Sequence, residues 1–201
     1  MRSIVGTIYN LRVMKKIVLS TLLTLLCISF SMAQTAEGFI YWKKNRPLQW
    51  SDFKGKPVKN SHYHAQTQGG LNYTFDNNGP GVYVLKLNVK YDKQKSWSKP
   101  EEQSDDLLKH EQGHFDIYEI YGRLIMQRLK ETKALAGPKF SEKVEKIFTK
   151  SFAELQKFQR KYDQETNHSK DKEKQEKWNQ KLEKMLIDSE DHIVKEIEFK
   201  V

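Results

Sequence analysis

The sequence predicts an α+β fold in which an N-terminal antiparallel β-hairpin or sheet packs on a long helix, with further helices behind it. Three observations lead there. Residues 62–75 and 82–91 carry strand-like alternation on either side of Asp76-Asn77-Asn78-Gly79-Pro80-Gly81, the dense turn chemistry of a hairpin. From Ser104 the apolar residues recur every three or four positions, the period of a helix. No internal repeat and no long linker interrupts residues 34–201, which therefore read as one domain.

Residues 1–33 read as an N-terminal extension and an export signal. Met14-Lys15-Lys16 is a basic start, an apolar run follows through Phe30, and Ser31-Met32-Ala33 has the small-x-small form of a cleavage site. Cleavage after Ala33 would release a periplasmic or secreted protein. The apolar run is shorter than the ~20 residues of a membrane span, so no stable membrane insertion is expected once the signal is cut. The single cysteine, Cys27, lies inside that run and follows Leu26 rather than the small residue of a lipoprotein signal. The mature chain would then hold no disulfide, and its stability must come from an apolar core or a metal.

The whole chain has a formal charge of +9. Without Arg2, Arg12, Lys15 and Lys16, 31 basic residues face 26 acidic ones, spread over Lys- and Glu-rich helices. That pattern is a solvated surface, and no nucleic-acid partner is expected.

The elements follow in order. Phe39-Ile40-Tyr41-Trp42 is a short strand, and residues 47–57 form a Pro- and Gly-bounded loop anchored by Trp50 and Phe53. After the hairpin, residues 93–100 connect, with Trp97 packing back on the sheet. Ser104 caps the first helix, with Asp105 and Asp106 in its first turn. It runs to about Leu135, where Gly137-Pro138 stops it. A second helix starts at Ser141 and buries Val144, Ile147, Phe148, Phe152, Leu155 and Phe158. Residues 162–168 read as its frayed end or a loop. A third, highly charged helix covers residues 171–187, with Trp178, Leu182 and Met185 as its apolar positions. Ile193, Val194, Ile197 and Phe199 suggest a closing strand.

The chemistry concentrates in the first helix, where His110-Glu111-Gln112-Gly113-His114 has the form His-Glu-x-x-His. Four residues of helix turn about 400° and rise about 6 Å, so both imidazoles lie on one stripe, a turn apart. That spacing suits two ligands of a Zn2+ ion, and Glu111 beside them is placed to take a proton from a zinc-bound water. A third ligand is still required. Glu119 lies about 140° round the helix from His114 and points away from the stripe. The remaining histidines are His62, His64, His168 and His192. His62 and His64 share one face of a strand and read first as solvated or satisfied strand histidines, with lining a cleft as the alternative. His192 lacks polar company. His168 stands near Tyr162, Asp163, Thr166 and Asn167, groups able to orient an imidazole or support a transition state.

Leu108 to Asp116, with Tyr162-Asp163-Gln164-Glu165-Thr166-Asn167-His168, resembles the predicted secreted zinc proteases grouped as domain of unknown function 922. Trp50-Ser51-Asp52-Phe53-Lys54-Gly55 and Ala65-Gln66-Thr67 resemble that family's N-terminal half. The resemblance implies a zincin-like metallopeptidase acting on a peptide or protein. His110 and His114 would be ligands, His168 the third ligand and Glu111 the catalytic base. Tyr162 is a candidate for stabilising the oxyanion, and Asp163 and Glu119 either hold a ligand imidazole or simply face water. The family pattern leads one to expect Gly after the last His, where this chain has Ser169. The rival expectation is a non-catalytic envelope binding module, with a structural or relic zinc site and its Lys/Glu-rich helices as the contact surface.

Overall fold

Strand β4 (Val82–Asp92) organises the sheet. Along one edge it pairs antiparallel with β3 (Gly69–Asn77), from Gly69 opposite Tyr91 to Asn77 opposite Tyr83. The other edge is shared end to end. β1 (Phe39–Tyr41) takes Lys90 to Asp92, and β6 (Glu196–Lys200) takes Val82 to Lys86. The predicted hairpin is thus present, with Gly79 and Gly81 at positive φ in its turn, and the apolar tail does close as a strand. Alternation buries Leu85, Leu87, Val89 and Tyr91 on one face of β4.

This is a computed structural model, and it describes residues 38–132, 139–193 and 195–200. The expected extension and signal (residues 1–33) and the Gly137-Pro138 stop lie outside the described residues. Among the described residues, no helix is long and apolar enough to cross a membrane.

Upstream of β3 the structure divides what reads as one strand. Ala65–Gln66 forms β2, which pairs instead with β5 (Trp97–Ser98) in a separate two-stranded ladder. The break is held by Ser96, whose hydroxyl accepts from Gln68 N and donates to Asp92 O. Trp97 is buried, and its indole N–H donates to Gln66 Oε1.

Helix α1 (Asp105–Glu131) begins at Ser104, whose hydroxyl accepts from Leu107 N. Its apolar stripe lies across the sheet, and Gly122 allows the close approach, since a Cβ there would come 2.8 Å from Val89 Cγ2. α2 (Phe140–Thr166) and α3 (Lys172–Asp188) pack on α1. Tyr91, Phe115, Ile117, Leu155, Tyr162 and Trp178 share one core cluster. Leu85, Ile125, Met126, Phe140, Val144 and Phe199 share a second. Glu119, which helix angles exclude as a ligand, is fully buried in an ion cluster with Arg123 and Lys195. Arg123 also donates to Leu186 O, tying the end of α3 to α1.

Candidate metal centre

His110 and His114 sit one turn apart on α1 with rings 4.7 Å apart, and their Nε2 atoms approach to 3.2 Å. Asp163 reaches the same point from α2. Its Oδ1 lies 3.2 Å from His110 Nε2 and 2.9 Å from His114 Nε2. The ligand atoms of His110, His114 and Asp163 all lie within 4.8 Å of one another. His168 stands at the edge of this group. Its Nδ1 is 3.5 Å from the same Asp163 oxygen, and its ring is half-exposed against Tyr63. In the place where the sequence reading puts His168 as third donor, the tight group has Asp163, with His168 beside it.

Asp163 occupies that place because α2 does not fray where the sequence suggests. Residues 162–166 continue the helix, which ends at Asn167 in the left-handed conformation. Val144, Ser151, Leu155, Gln159, Tyr162 and Thr166 form its buried stripe, and Asp163 follows Gln159 by one turn. Asn167, His168 and Ser169 then all have positive φ, at 48°, 51° and 71°. This reversal swings the His168 ring back towards Asp163. Glycine is the residue most at ease at position 169, and Ser169 holds that conformation without it.

Three imidazole nitrogens around one carboxylate oxygen need something electropositive between them and it, an N–H hydrogen or a metal ion. Burial by itself would depress the pKa of His114, but the hydrogen bond and charge of Asp163 outweigh it and raise it to about 9. Burial would raise Asp163, but its bonds to His110 and His114 prevail and hold it well below the usual carboxylate range. The donor chemistry fits zinc. Bonds of ~2.0–2.1 Å at tetrahedral angles place donors about 3.3 Å apart, close to the 2.9–3.2 Å separations found here.

Glu111 is almost wholly buried, and its Oε2 accepts no hydrogen bond from the protein. A desolvated carboxylate oxygen without a partner is costly unless something else is meant to meet it. Its backbone carbonyl accepts from Thr67 Oγ1, which ties α1 to the chain just after β2. Glu111, His110, His114, Asp163 and His168 line one cleft of about 640 Å³, and His62 and His64 also line it. His64 also faces Glu102, at 3.2 Å. His192 lies in a short turn after α3, apart from the cleft. A second cavity, about 490 Å³ and lined by Trp42, Gln112, Asp116 and Leu186, holds none of the metal-ligand group.

Tyr162 forms the wall behind the histidines. It is fully buried, stacks on His110 at 4.7 Å and meets His114 edge-on. Its hydroxyl donates to His110 O and accepts from Gln175 Nε2, so both bonds turn inwards, away from the cleft. Sequence reasoning missed Gln159 and Gln175, the partners of the two histidines. The legible signal was a glutamine at 159, one turn after Leu155 on the buried stripe of the helix; for Gln175, on a charged helix, none was visible.

The fold and site define an α+β protein whose His110, His114 and Asp163 could hold a metal ion beside a buried glutamate. A family model described as a bacterial protein of unknown function (DUF922) matches residues 48–170, and the chain belongs to that family. No curated protein and no solved structure matches it.

Proposed function

We propose that this chain is an exported, zinc-dependent metallopeptidase that hydrolyses peptide bonds. The observation that carries the reading is a buried glutamate with an unpartnered oxygen beside two imidazoles and a carboxylate on the floor of one open cleft. His110, His114 and Asp163 would hold the ion, with His168 within reach of the same point. Zinc bound there supplies Lewis acidity, polarising a carbonyl and acidifying water. Glu111 Oε2 accepts the proton of the attacking water and delivers it to the leaving amine nitrogen. The aromatic wall of Tyr162 fixes both rings and keeps water from their far side.

Metal analysis of purified residues 34–201 should find zinc near one per chain, and Glu111→Gln should retain it while losing cleavage of a peptide library. Cleavage by Glu111→Gln would remove Glu111 as the base, and a wild-type protein without zinc would remove the reading itself. One observation favours a second reading, the binding module with structural zinc. His168 beside Asp163 offers a fourth donor, and four protein ligands would close the site. The absorption spectrum of the cobalt-substituted protein separates the two. A spectrum unmoved by added small anions means a closed sphere and supports the module.

A further inference from the structure

Each imidazole of the centre ends, on the side away from the cluster, at a glutamine amide. His114 Nδ1 lies 2.5 Å from Gln159 Oε1, and His110 Nδ1 lies 2.9 Å from Gln175 Oε1. The orientation of both amides is fixed by hydrogen-bond chains that end at groups able only to accept. Gln159 Nε2 donates to the backbone carbonyl of His114 at 3.0 Å, so its oxygen must face the ring. Gln175 Nε2 donates to Tyr162 Oη, whose own proton goes to His110 O, and to Asn179 Oδ1. Asn179 is oriented in turn by donating to the Glu176 carboxylate. With amide oxygens facing both rings, each Nδ1 must carry hydrogen.

We infer that Gln159 and Gln175 are positioning residues that keep a proton on Nδ1 of both histidines and so commit both Nε2 atoms to the metal. The inference rests on the proposed zinc reading and adds to it the character of the support. Ligand histidines are commonly backed by carboxylates, which raise their basicity. Here both backing groups are neutral, and Asp163 and Glu111 are the carboxylates the cleft contributes. Gln175 also belongs to α3, beyond the residues 48–170 that the family model matches. In this chain the centre therefore depends on a helix outside that match.

The test uses residues 34–201 as wild type, Gln159→Met, Gln175→Met, Gln159→Glu and Gln175→Glu. Long-range ¹H–¹⁵N spectra report the ring protons, and chelator competition reports zinc affinity. Wild-type Nδ1 atoms should be protonated in both histidines, with or without zinc. Each methionine variant, which loses the acceptor, should bind zinc about tenfold to a hundredfold more weakly. The glutamate variants, which keep an acceptor, should restore or exceed wild-type affinity. A glutamine that merely packs would lower thermal stability in all four variants and leave affinity and ring protons as they were, which overturns the inference. So would an unprotonated Nδ1 in the wild type. If the wild type takes no zinc, the zinc reading falls, while the ring-proton spectrum still decides this one.

Discussion

Replacing Gly113 by alanine puts the geometry of the centre to a sharp test, because it adds one methyl group between the two histidines on the motif helix. A Cβ at this position would lie 2.3 Å from Tyr162 Oη and 2.8 Å from its Cζ. The phenol ring cannot simply swing aside. It is wedged between His110 on one face and Trp178 at its edge, and its hydroxyl is hydrogen-bonded to His110 O and Gln175. Relief requires moving the ring by about an ångström, an overpacking that costs about 1–3 kcal/mol. Two displaced hydrogen bonds add about 1 kcal/mol each, and the better helix propensity of alanine returns about 1 kcal/mol. The net loss is about 2–4 kcal/mol, or a Tm lower by about 4–16 °C for a domain of this size. Thermal unfolding of metal-free protein measures the stability, and chelator competition should show weaker zinc binding because the His110 ring moves with Tyr162. An alanine variant as stable as wild type, with unchanged zinc affinity, would refute a pinned Tyr162.

Further outcomes follow from neighbouring groups. With its pKa raised from 6.5 to about 9, His114 stabilises the metal-free fold fully below pH 6.5 and loses that contribution as pH rises through about 9. Asp163, lowered from 3.8, contributes above pH 3.8 and fades as the pH falls below it. Thermal scans with chelator should therefore show stability falling from pH 6.5 to 9.5, and Asp163→Asn should flatten that slope; an equal slope in the variant rejects the pairing. Ser169→Gly should raise stability by about 1 kcal/mol by relieving a left-handed serine, read from urea unfolding; a loss would show that the Ser169 side chain matters more than its backbone. Glu119→Gln strands the buried Arg123 charge and should cost about 3–5 kcal/mol with zinc affinity unchanged. Zinc loss greater than fivefold would tie Glu119 to the centre after all.

Much of the fold was legible because local chemistry and long-range packing agree there. The Asp76 to Gly81 turn, the Ser104 cap and the 3.6-residue stripe of α1 each announce an element that the structure contains. The division of residues 62–75 was not legible, since the exchange of β2 to β5 depends on Ser96, far along the chain. At the site, spacing alone puts His110 and His114 on one stripe. Asp163 escaped as a direct partner because residues 162–168 look polar enough to fray. What keeps them helical to Thr166 is the burial of Tyr162 and the Thr166 hydroxyl bonding back to Tyr162 O, neither of which is visible locally. The motif supplies two candidate donors; only the packing of α2 on α1 brings Asp163 to them.

The shared edge of β4 joins pairings of very different loop length. Its half from Lys90 to Asp92 pairs with β1, about fifty residues back along the chain, but its half from Val82 to Lys86 is covered by Glu196 to Lys200, more than a hundred residues on. Closing so long a loop is entropically costly, and the whole helical layer lies within that loop. Without β6 a row of backbone donors and acceptors beside Leu85 stands open to any passing strand. A chain in which β6 has not paired is thus open to sticking to its own kind at this edge, and β6 acts as its guard.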